Sequence, residues 1–231
     1  MPHLALKQKT CRSNIKSPSG LFLNPVLCRA FFACYILGCG IIYGQKQLTK
    51  TLLNPGISSV SIDGTMSYKL ELQTGTSKEV SVEAQMEGEY SPDLMVLFRE
   101  SGTTLFIETR FSPNFEMPND KLGAHKVISI SLKVTVPENQ DVFLNAASCQ
   151  LTTFGVFKNL DIVFNDGGCN LSHRAENTEV QTGSAPIIAH LKSGVIEARS
   201  KYGEVHIDPL PRGDHHLKLH STQGNISVLS L

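Results

Sequence analysis

A chain of 231 residues, 41% of them hydrophobic, is long enough to bury one sizeable core or two. Its formal charge of zero conceals an uneven distribution. Residues 1–44 carry Lys7, Lys9, Arg12, Lys16 and Arg29 with no acidic residue, which leaves 16 basic against 21 acidic side chains in the remainder. An acidic body argues against nucleic acid as a partner, because phosphate binding needs a positive surface.

The basic opening leads into the apolar run Ala30–Tyr43, 14 residues long, which as a helix extends about 21 Å against a hydrocarbon thickness of about 30 Å. That is short for a membrane span. A basic region, an apolar middle and small Gly44 ahead of Gln45-Lys46-Gln47 read as an export signal over residues 1–44, cleaved between Gly44 and Gln45. The mature chain is then expected to carry no transmembrane span. Cys39, in Ile36-Leu37-Gly38-Cys39, offers a second reading as a lipid-modified residue, although Gly40–Tyr43 stays apolar behind it. An uncleaved N-terminal helix is the third. Four of the six cysteines lie in this leader, and only Cys149 and Cys169 follow it.

Residues 45–56 are expected to be a loose entry segment ending in the Asn54-Pro55-Gly56 turn. An N-terminal strand region, residues 57–136, comes next. Ile57–Ile62, Tyr68–Leu72 and Val80–Met86 alternate apolar and polar residues with period two, and Leu94–Phe98 and Leu105–Ile107 follow across Ser101-Gly102. Their closeness in sequence predicts an antiparallel meander.

The pattern then stops from Arg110 to Lys126. Loops of that length inside compact domains are uncommon and often functional, so Arg110, Phe111, Phe115, Met117, His125 and Lys126 form a candidate binding loop. The simpler structural reading is that the loop folds back and its aromatic residues cover strand edges at one end of the core. Beyond it, Ile128, Ile130, Leu132, Val134 and Val136 alternate strictly until Pro137 ends the run.

Residues 137–231 repeat. Glycine-led units, Gly194-Val195-Ile196-Glu197-Ala198, Gly203-Glu204-Val205-His206-Ile207 and Gly224-Asn225-Ile226-Ser227-Val228, each offer two apolar side chains to one face of a strand. The marker residues Ile162, Leu171, Val180, Ile188, Ile196, Val205, Leu217 and Ile226 recur at near-constant steps of 8 or 9, broken by one step of 12 that holds Asp208–Gly213. Stacking of such units predicts an all-β fold, a right-handed β-solenoid in one continuous domain from 57 to 231; a β-sandwich of short strands is the alternative. Cys149-Gln150-Leu151 and Cys169-Asn170-Leu171 lie one 20-residue step apart. If that step is a turn of the solenoid the two cysteines stack within reach of a disulfide; otherwise they are two small buried hydrophobes.

A V-x-V-P strand (Val134-Thr135-Val136-Pro137) behind a strand-rich N-terminal part, and a ladder of glycine-led units closing on Gln223-Gly224-Asn225-Ile226-Ser227-Val228, resemble the bacterial putative adhesin families, known as auto-transporter adhesin head or GIN domains. The leader ending in Tyr43-Gly44-Gln45 is similar to exported proteins of Bacteroidetes-type Gram-negative bacteria. The resemblance covers residues 57–231 and implies an envelope-exposed β-solenoid with no catalytic residues to carry over. The chain departs from the commonest members in having no second signal at its C-terminus.

No zinc spacing, phosphate-cradling glycine loop or G-x-S-x-G elbow occurs, so no cofactor is expected. Asp214, His215, His216 and His220, with His206 and Asp208, are the one set that invites a metal, against the simpler reading of solvated loop histidines. Asn165-Asp166-Gly167-Gly168 resembles a calcium turn but lacks the repeated aspartate spacing, and a glycine turn closed by the Asp side chain on its own backbone is the better reading. The expected function is therefore that of an exported, non-enzymatic envelope protein of the periplasm, outer membrane or cell surface that binds a glycan or an envelope protein. A carbohydrate-active enzyme and an extracytoplasmic sensor or assembly partner are the alternatives.

Overall fold

The computed structural model describes residues 46–53, 56–88, 90–115 and 129–231, all within one compact unit that runs from Tyr43 to Leu231. The leader, its cleavage point Gly44–Gln45, and Met117, His125 and Lys126 of the candidate loop lie outside the described residues. Among the described residues the elements are seventeen strands and one short 3-10 turn. They are β1 (Lys46–Leu53), β2 (Ser59–Asp63), β3 (Lys69–Gly75), β4 (Glu79–Glu87), β5 (Leu94–Ser101), β6 (Thr104–Phe111), β7 (Ser129–Pro137), β8 (Asp141–Asn145) and β9 (Ser148–Val156). Then follow β10 (Asn159–Phe164), β11 (Asp166–Arg174), β12 (Asn177–Thr182), β13 (Ile187–Leu191), β14 (Val195–Ser200), β15 (Val205–Ile207), β16 (His216–Ser221) and β17 (Ile226–Ser230). Among the described residues no helix is long and apolar enough to cross a membrane.

The strands form two large mixed sheets. Sheet A has the order β1-β4-β7-β3-β9-β11-β13-β17-β15, and sheet B the order β14-β16-β12-β10-β8-β2-β6-β5. From β7 onward consecutive strands alternate between the two sheets, and from β8 onward every pairing is parallel. Along β8, β10 and β12 the partners are 18 residues apart, with Asn159 opposite Asp141 and Asn177 in turn opposite Asn159. A step of 8 or 9 in the sequence is therefore a change of sheet, and two such steps return the chain to a neighbouring strand.

Period-two alternation decides what faces inward. In sheet A, Ala84, Leu132, Leu70, Leu151, Cys169, Ile187 and Ile226 stand opposite one another on successive strands and are all buried. Sheet B answers with Ile107, Ile62, Leu144, Ile162, Val180 and Leu219. Both rows belong to one core. Each fully buried aliphatic side chain contributes about 1.5–3 kcal/mol relative to exposure, so these rows hold the sheets together.

The meander expected over residues 57–107 does not form. Among the described residues antiparallel pairing is confined to β1–β4, β4–β7 and the β5–β6 hairpin, whereas β2 pairs in parallel with β6 and β8, and β3 with β7 and β9. Alternation identifies a strand's buried face but not its partner, and here closeness in sequence misled. β2 accordingly lies between β6 and β8, and β3 between β7 and β9, all of them later in the chain. The expected loose entry segment is also corrected: Lys46–Leu53 is a paired edge strand against β4.

A second departure lies at the other end. A simple ladder would place β14 and β15 next to β12 and β13, but β16 and β17 occupy those places and β14 and β15 lie outside them. The 12-residue step noted in sequence is the connection from β15 to β16 by which the chain turns back into that inner place.

Candidate functional site

Inward-facing positions are not all apolar. Thr153 on β9, His173 on β11 and Thr178 on β12 occupy the same alternating phase as Leu151, Leu171 and Val180, and all three are buried. His215, immediately before β16, is buried too. Their polar atoms form one chain: Thr153 Oγ1 lies 2.7 Å from His173 Nδ1, His173 Nε2 lies 2.9 Å from Thr178 Oγ1, and Thr178 Oγ1 lies 2.9 Å from His215 Nε2. Phe157 meets the His173 ring edge-on at 5.4 Å.

Protons can be placed along this chain in two self-consistent ways with both rings neutral. If Thr153 donates to His173, then His173 donates to Thr178, Thr178 donates to His215, and His215 Nδ1 carries a hydrogen. In the reverse order His215 donates to Thr178 and Thr178 to His173, leaving His215 Nδ1 as an acceptor. Either way His215 Nδ1 is the loose end. It is buried and has no hydrogen-bond partner among the described residues.

Burial, and then the neighbouring His215, pull the pKa of His173 down to about 3. His215 is pulled down to about 4 by burial first and then by the charges of Arg174 and His216. Desolvation disfavours the charged imidazolium, so both rings are neutral at ordinary pH.

The chain of hydroxyls and imidazoles lies beneath a cleft of about 820 Å³. The cleft follows one side of the molecule, where β9, β11 and β13 end and the chain passes toward sheet B. Arg174, Glu176, His190, Lys192 and Asp214 line it together with His215. Charges of both signs along a concave wall suit a ligand that donates and accepts hydrogen bonds.

The expected sites fare differently. Arg110 is exposed on β6 opposite Met95. Phe111 packs partly against the core, and Phe115 stacks on it with ring centroids 4.2 Å apart while Tyr90 meets Phe115 edge-on at 5.2 Å. Cys149 and Cys169 are both buried and free. The parallel register is 18, not 20, so Cys169 stands opposite Leu151 and Cys149 opposite Gly167. Burial pushes the Cys149 thiol up to about 11 and raises that of Cys169 further.

His206 and Asp208 pair with each other at 3.1 Å on the surface, apart from the buried His215, and no group of three potential ligands among the described residues could hold a metal. His216 is exposed and His220 half-buried. Asp166 accepts from the Ser184 hydroxyl at 2.9 Å, across to the next rung, rather than closing a turn on its own backbone.

Sequence reasoning missed His173, Thr153 and Thr178. A signal existed: Cys169, Leu171 and His173 alternate without a break, which places the imidazole on the buried face.

Comparison with solved structures bears on this geometry. The sequence matches no protein-family model and no curated protein. A putative cell adhesion protein from Clostridium sporogenes, 12% identical, superimposes with a TM-score of 0.61 over 81% of this chain and 100% of its own. The chain has that fold. A putative adhesin from Bacteroides fragilis covers 82% of this chain and 100% of its own at 10% identity with a TM-score of 0.37, and one from Parabacteroides distasonis 80% and 97% at 8% identity with a TM-score of 0.35. At these identities the likeness concerns architecture, and the cleft residues named above rest on this chain's own geometry.

Proposed function

We propose that the protein is an exported, non-enzymatic cell-envelope protein with an adhesin-like binding role at the cell surface or in the periplasm, and that a glycan binds in the cleft beside β9, β11 and β13. The observation that carries the reading is that cleft: its wall offers Arg174, Lys192, Glu176 and Asp214 over a floor of neutral imidazoles. Sugar hydroxyls both donate and accept, and so match such mixed polar groups. The shared architecture with a putative cell adhesion protein supports the binding role. The leader over residues 1–44, with cleavage between Gly44 and Gln45, supplies export in this reading.

The architecture belongs to the same proposal. Partners 18 residues apart and, from β7 onward, alternation between two sheets are what turns of a right-handed β-solenoid would produce, in one continuous domain from residue 57 to 231. Rigid stacked layers of this kind hold a side cleft in constant shape.

Binding of the full chain to a glycan array tests the reading, with Arg174→Ala and Lys192→Ala as cleft variants and a Phe111→Ala, Phe115→Ala double variant as the control for the 110–126 loop. Signals lost in the cleft variants and kept in the control are expected. Retention in the cleft variants with loss in the loop variant would move the site to the loop. Absence of any glycan signal, or release of reducing ends from a bound polysaccharide, would overturn the reading.

A further inference from the structure

The two ends of the paired sheets are finished differently. At one end β1 and β5 are the outermost strands. Lys46 Nζ on β1 donates to the carbonyls of Pro92 and Leu94 at 3.1 and 2.8 Å, and Lys50 Nζ stands 4.2 Å from the Phe98 ring centroid. The edge strand of sheet A thereby reaches across to the edge of sheet B and covers the core between them, as edge strands in natural proteins commonly do with lysine.

At the other end β14 and β15 are outermost and no described strand pairs with their outer edges; just ahead of β14 the Gly194 N–H bonds to the Pro211 carbonyl at 3.1 Å. Val205 and Ile207 continue the inward rows that begin with Ile226 and Val228. Their neighbours are fully buried, but they are 41% and 42% exposed. Ile196 and Ala198 on β14, opposite buried Leu217 and Leu219, are only partly covered. Tyr202, between the two strands, is 69% exposed. An open sheet edge above an uncovered core is a template for another strand.

Backbone phase and charge say what fits there. Val195 donates its N–H to His215 and Lys201 to Ser221, so the odd residues of β14 bond to β16 and the even ones, Ile196, Ala198 and Ser200, direct their N–H and C=O groups outward. The outer face of β14 carries Glu197 and Arg199, already paired at 3.2 Å. Antiparallel pairing with a second β14, centred on Ala198, sets Ala198 against Ala198, Ile196 against Ser200, and Glu197 against Arg199 twice over. The outward backbone groups then fall into hydrogen-bonded pairs and the charged residues into the closer, non-hydrogen-bonded ones. We propose that β14 and β15 form a self-association surface on which a second copy of this chain adds edge to edge about a two-fold axis at Ala198, extending both sheets across the dimer.

A two-fold contact uses the same patch on both partners, and with the β1 end covered the assembly closes at two copies instead of growing into a filament. Val205 and Ile207 of each copy are covered by the same approach. No residue of β14 or β15 lines the side cleft, and the association does not depend on the ligand assigned to it.

Sedimentation equilibrium of the full chain, with circular dichroism to confirm folding, tests the proposal. The wild type is expected to be a dimer in the micromolar range. Glu197→Arg places two like-charged pairs across the axis and should weaken association at least about tenfold, as should Ile207→Lys. The double variant Glu197→Arg, Arg199→Glu restores both opposite-charge pairs and should return the dissociation constant to within about threefold of the wild type. A wild-type monomer, a dimer indifferent to Glu197→Arg, or a double variant no tighter than the single one would overturn it.

Discussion

His173 and His215 share one hydroxyl: both present Nε2 to Thr178 Oγ1, each at 2.9 Å. Both residues are buried, so the pair is neutral, and its protonation is linked to unfolding.

Both imidazoles have folded pKa values, about 3 and about 4, below the ordinary 6.5. Between these limits the unfolded chain binds protons that the folded one refuses, so stability is complete above about pH 6.5 and declines as pH falls toward 4 and then 3. The loss should be on the order of a few kcal/mol. Urea unfolding at pH 7, 5 and 4 measures it, and His173→Gln, which removes one titrating group, should flatten the acid limb while lowering stability at pH 7.

Asn159 donates to Asp141 at 2.7 Å and accepts from Asn177 at 2.8 Å, a ladder across β8, β10 and β12. Asn159→Ala removes both bonds and should cost about 1–3 kcal/mol. Asn159→Asp keeps the shape but sets a like charge beside Asp141, so its penalty at neutral pH should shrink as salt screens the pair. Thermal melts at low and high salt separate the two effects, and an Asp variant equally impaired at both would show that charge is irrelevant there.

Gly167 has φ +112, and a Cβ added to it would run into the Cys149 carbonyl of the neighbouring strand. Gly102 has φ +61 with open space around it. Gly167→Ala should therefore cost well over 2 kcal/mol or prevent folding, while Gly102→Ala should cost about 1–2 kcal/mol from the left-handed backbone alone. Chemical denaturation of the pair reads the difference.

Because Cys149 and Cys169 are buried, unbridged and raised in pKa, neither should react with a thiol reagent until the protein unfolds. Peptide mapping after alkylation without reductant is expected to find both residues unmodified in the native protein and both alkylated in denaturant. Protection that persists in denaturant until reductant is added would instead mean a disulfide.

The strands themselves were legible. The alternation in Ser129–Pro137 and the glycine-led units of β14, β15 and β17 lie where the periodicity predicted them, because a half-buried strand writes its two faces directly into residue order. Register was less accessible. The Cys149-Gln150-Leu151 and Cys169-Asn170-Leu171 match suggested a 20-residue turn, whereas the hydrogen bonds adopt 18, the spacing of Asp141, Asn159 and Asn177. The His173 chain stayed hidden because its members come from β9, β11, β12 and the residue before β16.

Residue order by itself determined an all-β chain with inward apolar rows, since the period of two in side-chain direction is a local property of extended backbone. Only the tertiary structure decided which strands neighbour which: β2 and β3 sit between strands from far along the chain, and β16 and β17 displace β14 and β15 from the inner place. Partner choice depends on non-local burial and connection length, and no single strand contains either.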